Sequence, residues 1–240
     1  MKNPSSTKFL PYFTLIAGVV GFLLRLWLFS AMGENRLLPA NHPADTCLFL
    51  LTAAVLGVLF LSTRKPAARA VSPGKMRSYH IFSAFCYLLG SLGLIATAFA
   101  ASTAKLALIA TLASLAGGIV MILMALLKLL GKNLPYGLPA ILTVVLMINT
   151  VAQCQVWGAE PQLQMYFFPL LASIFLILTA YHKTMLTAKR GKAKLLAFFS
   201  QGALFLCCLS LNSTQWPLYF GMLFWAAVQL YPCIRVKKEV

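Results

Sequence analysis

Arg25 breaks the apolar run Phe22-Leu-Leu-Arg-Leu-Trp-Leu-Phe29, and a guanidinium in that setting is the strongest chemical signal in the chain. An arginine inside a bilayer costs roughly 2.5–3.5 kcal/mol on insertion scales, so such residues face the bundle interior or a water-filled cavity. Arg25 stands about two turns from the outer end of its predicted helix. It can snorkel to the outer headgroups, pair with Glu34 or Asp45, or meet the anionic group of a ligand. The polar stretch Gly33-Glu-Asn-Arg-Leu-Leu-Pro-Ala-Asn-His-Pro-Ala-Asp45 follows. His42 and Asp45 lie three residues apart in it, with Glu34 upstream, which is the beginning of a metal site. A complete one needs three or four convergent ligands, and no second His or Cys cluster supplies the rest, so no metal is expected. Pro39, Asn41 and Pro43 read as a structured turn, with Asp45 or Thr46 capping the next helix. Further along, Asn149 and Gln153 are one turn apart on one helix face. The common role of such amides in lipid is hydrogen bonding between helices. With Pro169 they also suggest a polar vestibule opening outward. Its candidate ligand-binding residues are Arg25, Glu34, His42, Asp45, Asn149 and Gln153.

These groups can meet only if long apolar segments bring them to one level. Of the 240 residues 60% are hydrophobic and 10% charged, with a mean hydropathy of +0.85. A soluble domain carries roughly 25% charged residues, and this chain has too little polar surface to cover a water-soluble core. Eight runs have the length a bilayer requires: Phe9–Met32, Thr46–Thr63, Tyr79–Ala101, Leu106–Leu130, Leu138–Val156, Leu163–His182, Leu195–Leu211 and Pro217–Ile234. The expectation is an all-α, polytopic transmembrane bundle of about eight spans, forming a single integral membrane domain over residues 1–240. The first run reads as a retained helix. Arg25 interrupts it, and Ser30-Ala31-Met32 is a poor signal-cleavage site.

Seventeen of the twenty Lys and Arg fall on one side of this arrangement. They occupy the N-terminus, the 64–77 and 183–194 gaps, Lys128 and Lys132 near the fourth connection, and the tail. Positive-inside asymmetry makes that side cytoplasmic, with both ends inside. A formal charge of +16 would suit nucleic acid if it formed a patch on a soluble fold. Distributed between apolar runs it sets topology and meets anionic lipid instead, so nucleic acid is not an expected partner.

The two halves share a layout, each with four spans and a five-charge cytoplasmic loop between its second and third. That pattern fits either a relic of duplication or ordinary hairpin spacing. Ala110, Ser114 and Gly118, with Gly18/Gly21 and Gly90/Gly93, offer small faces for close packing, within one bundle or between copies. Pro169 lies inside its span and should kink it. Tyr79-His80 and Tyr181-His182 mark the inner interface. Cys47 and Cys154 lie near the outer side, where a disulfide would join them; small apolar packing is the more general role.

No span carries Asp or Glu, which argues against a proton relay, and no nucleotide-binding, nucleophile-elbow or metalloprotease motif occurs. Neither an enzyme nor a cofactor is expected. The Arg25 region, the Gly33–Asp45 stretch and the apolar helix after it resemble the opening of an uncharacterised group of small bacterial polytopic membrane proteins. The resemblance covers about the first quarter of the chain. It implies the bacterial inner membrane and no substrate. The expected function is a small-molecule binding or transport protein, or the membrane subunit of a transporter, acting as a homo-oligomer or with a membrane partner. The alternative is a structural or regulatory protein that docks partners or anionic lipid through its basic loops.

Overall fold

The structure is a computed structural model, and it describes residues 6–31, 42–63, 73–99, 105–132, 134–157 and 164–229. Each expected run is a helix: α1 Ser6–Ser30, α2 Pro43–Thr63, α3 Pro73–Phe99, α4 Lys105–Leu129, α5 Gly137–Trp157, α6 Gln164–Thr187, α7 Ala193–Ser210 and α8 Trp216–Gln229. Seven are long and apolar enough to cross a membrane. The eighth is described over 14 residues, and 230–234 of its expected span lie outside the described residues.

Local chemistry sets the ends. Pro43 and Pro73 open α2 and α3, where a missing N–H costs nothing. Gly131, at φ 67°, closes α4: its N–H reaches Lys128 O, and Lys132 N–H reaches Leu127 O. The end of α6 has the same pair of bonds, from Lys189 to Leu186 O and from Arg190 to Met185 O. There the left-handed residue is Lys189, at φ 60°. This closure falls five residues later than the sequence suggests, so Lys183 moves from the basic gap into α6 and is buried. At its other end α6 runs unbroken through Pro169.

Contacts between helix ends establish the alternation of direction. Arg25, late in α1, meets Leu209, late in α7. Gln153, late in α5, meets Gln215, just ahead of α8. Phe49, early in α2, packs on Phe167, early in α6, and Ser114 in the first half of α4 bonds Asn149 in the second half of α5. At the opposite end Gln229 of α8 meets Tyr87 in the first half of the apolar part of α3, His80–Phe99. The start of α1 and the end of α8 therefore share a side. Taking the charge-rich side as inner, the ends of α1, α5 and α7 are outer.

Helices α3, α4, α5, α6 and α8 close a ring, each packed on the next and α8 on α3. Helix α7 lies against α6 and α8 and carries α1 and α2 on its far side. Every residue from Ser200 to Ser210 is buried, because small residues such as Gly202, Ala203 and Cys207 let neighbours approach all around it. The halves do not repeat this packing. Helix α6 lies along α7, whereas the corresponding α2 and α3 have at most marginal contact among the described residues.

The small faces are spent inside the bundle. A Cβ on Gly18 would lie 2.9 Å from Cys208 Cβ of α7. At the α3–α8 crossing a Cβ on Gly221 would lie 2.6 Å from Leu89 O and 3.0 Å from Gly93 Cα. Outward faces are apolar, as on α1, where Tyr12, Leu15, Ile16, Val19 and Leu23 are exposed. Among the described cysteines Cys47 and Cys154 are free thiols, on helices that are not neighbours.

Candidate functional site

The polar side chains that interrupt the outer halves of these helices converge on Tyr219. Its position follows from Pro217, which sits in the first turn of α8, so that Tyr219 enters the ring one turn deep. The ring hydroxyl lies 3.0 Å from the carbonyl of Pro169, 3.1 Å from Ser173 Oγ and 3.4 Å from Gln153 Oε1. Its single proton can serve only one acceptor at a time, while Ser173 can donate to its oxygen. Gln153 also donates from Nε2 to Gln215 Oε1 in the α7–α8 turn. One turn below, Asn149 Oδ1 accepts from Ser114 Oγ at 3.0 Å, and Asn149 Nδ2 has no hydrogen-bond partner among the described residues. Asn149 and Gln153 are 6% and 5% exposed. Their amides join α4, α5 and α8, as expected of amides in lipid, and leave one buried donor over.

Arg25 enters the same level from α1. It is 3% exposed, so it turns into the bundle and does not snorkel. Nη1 donates to Leu209 O at 2.6 Å, and the guanidinium lies 5.4 Å from the Phe29 ring centroid and 5.7 Å from that of Phe168. Leu209 is in the last turn of α7, where carbonyls lack helical partners and carry the negative end of the helix dipole. A charged donor there contributes about 1.5–3 kcal/mol, and each aromatic face about 0.5–2 kcal/mol. Tyr219 lies within electrostatic reach of Arg25. Arg25, Tyr219, Gln153 and Asn149 are thus all buried in the outer half of the bundle.

Of the other three candidates, two can be placed. Glu34 falls outside the described residues. His42 and Asp45 stand at the outer start of α2, which packs on α1 and α7 and away from α5. The helix cap is His42, not Asp45 or Thr46: Ala44 N–H donates to His42 Nδ1 at 3.2 Å, and the imidazole stands edge-on to Trp27, with centroids 5.3 Å apart. Pro43 takes the first helical position, which moves the cap back to the residue before it. Asp45 remains in the first turn, where its charge suits the dipole.

Sequence reasoning passed over Tyr219, Ser173 and Gln215. A tyrosine near a span end reads as part of an aromatic belt. The one available signal was Pro217, which fixes the start of α8 and hence the depth of Tyr219. Fold and hydropathy together define a multi-pass α-helical integral membrane protein. No family model matches the chain, and no curated protein or solved structure does.

Proposed function

We propose that this protein binds a small anionic molecule within the outer half of its bundle, and either passes it across the membrane or presents it to a membrane partner. The observation that carries this reading is the buried guanidinium of Arg25. Its charge sits at the level of the outer polar side chains, and a carboxylate or phosphate group on a ligand is the chemistry that a guanidinium recognises best. The amide donor left over on Asn149 and the hydroxyl of Tyr219 would orient that ligand, as a few polar groups do in mostly apolar pockets. A bacterial inner membrane is the setting that fits best.

The test is thermal stability of the purified protein against panels of small carboxylates and phosphates. Stabilisation by one of them should vanish in Arg25→Ala without loss of expression, and should weaken in Asn149→Leu. If Arg25→Ala keeps the full stabilisation, the site is elsewhere. A second reading is favoured by the α6–α7 turn, where Lys189, Arg190, Lys192 and Lys194 are all exposed. Docking of anionic lipid or a partner through that turn would be lost when the four charges are neutralised. A change of insertion orientation instead would assign them to topology alone.

A further inference from the structure

A second buried polar group sits in the inner half of the ring, where the anion-binding reading makes no use of it. Tyr87 of α3 and Trp225 and Gln229 of α8 are 1%, 1% and 0% exposed. Gln229 donates from Nε2 to Tyr87 Oη at 3.1 Å and to the Trp225 carbonyl at 3.2 Å. The Trp225 indole N–H and Gln229 Oε1 have no hydrogen-bond partner among the described residues. Around them the ring is apolar: Gly90 packs between Met121 and Trp225, and Met124 and Ala226 are fully buried. Buried polar groups are normally paired, above all in surroundings that exclude water.

No internal rearrangement pairs this set. Tyrosine brings one donor hydrogen, indole one and the amide two, while the tyrosine oxygen and the amide oxygen are the only side-chain acceptors. Turning the amide over lets Tyr87 donate to Oε1 but strands the amide N–H groups. Tilting the indole toward Tyr87 leaves the tyrosine proton and Gln229 Oε1 unmatched. Each arrangement leaves at least one donor of the set unmatched, which a guest oxygen could accept from.

We infer that Trp225 and Gln229 hold a small neutral guest through a hydroxyl-type oxygen that accepts from the indole N–H and donates to Gln229 Oε1. The two residues are one turn apart on α8, so their side chains are neighbours on one face of the helix. A neutral guest suits the uncharged Met121, Met124 and Ala226, all buried, since an ion placed among apolar side chains is costly. Water and the hydroxyl of a small solute share this chemistry, and burial of all three residues restricts the guest to a few heavy atoms.

Hydroxyl-radical footprinting of the full chain in lipid nanodiscs tests the inference, since radicals generated from a trapped guest oxidise the side chains holding it. Tyr87 and Trp225 should be labelled about tenfold more than Phe205, which is equally buried but apolar. In Gln229→Met the label at Tyr87 and Trp225 should fall to the Phe205 level, while exposed Tyr12 and Trp27 keep theirs. Native mass spectrometry of the same preparation identifies the source: a released small alcohol means a solute, and bare protein mass with intact labelling means water. Wild-type Tyr87 and Trp225 labelled no more than Phe205 would overturn the inference, whether or not the variant folds. So would labelling that persists unchanged in Gln229→Met.

Discussion

Gly221→Ala probes the seam on which the ring depends. The added methyl carbon would start 2.6 Å from Leu89 O, 3.0 Å from Gly93 Cα and 3.2 Å from Gly90 Cα. All three are backbone atoms, so no side-chain rotation relieves the overlap. Restoring ordinary contact requires α3 and α8 to part by roughly 0.8 Å, and a gap of that size forfeits a quarter to a half of the dispersion energy at each facing pair. Overpacking of this kind costs about 1–3 kcal/mol. The better helix propensity of alanine returns about 0.5–1 kcal/mol, leaving a net loss of about 1–2 kcal/mol. For a chain of this size that corresponds to a fall in melting temperature of roughly 2–8 °C. The control is Gly57→Ala on α2, where nothing lies within 4 Å of the new methyl. It should be neutral or slightly stabilising. Both are read from thermal melts of the purified protein in one detergent. If Gly221→Ala melts with Gly57→Ala, α3 and α8 are not in the close contact described and the argument fails.

Other expectations can be checked on the same preparation. Tyr219→Phe removes the hydroxyl shared by Pro169, Ser173 and Gln153, and should destabilise by about 1–3 kcal/mol; an unchanged melt would deny Tyr219 its place at the centre of the outer group. Lys189→Gly should stabilise by about 1 kcal/mol, because glycine adopts the left-handed conformation without the Cβ clash, whereas Lys189→Val should lower the melting temperature. A reporter fused within the α6–α7 turn should be active only in its cytoplasmic form. Activity of the exported form would reverse the orientation deduced from charge.

The helices were legible because lipid imposes a length and a polarity that no local context overrides: among the described residues the eight runs are helices to within three residues of the expected limits, except at the start of α3 and the end of α6, the end of the eighth run lying outside the described residues. Those exceptions are polar turns, with Lys75, Arg77 and Lys183 continuing a helix past the apolar run. Hydropathy ends a span where charge begins, but backbone hydrogen bonding does not. Arg25, Asn149 and Gln153 stood out as single polar groups in apolar sequence. Their partners did not, since Tyr219 and Ser173 are ordinary residues of membrane helices until a distant segment is laid against them. The group at Tyr87, Trp225 and Gln229 was hidden for the same reason: its bond from Gln229 to Tyr87 spans 142 positions.

The place of α7 has a consequence for how the molecule is made. Arg25 reaches a carbonyl 184 residues later in the chain, and among the described residues α1 and α2 pack on each other and mainly on α7, with ring contacts to Phe167 and Phe168 of α6. During translation this first hairpin leaves the ribosome long before its anchor exists. Until then its cation must wait beside the insertion machinery or at the water boundary. Helix α3 waits likewise for α8. Assembly therefore finishes only when the α7–α8 hairpin is inserted, and nascent chains halted before residue 193 should remain susceptible to membrane quality-control proteases.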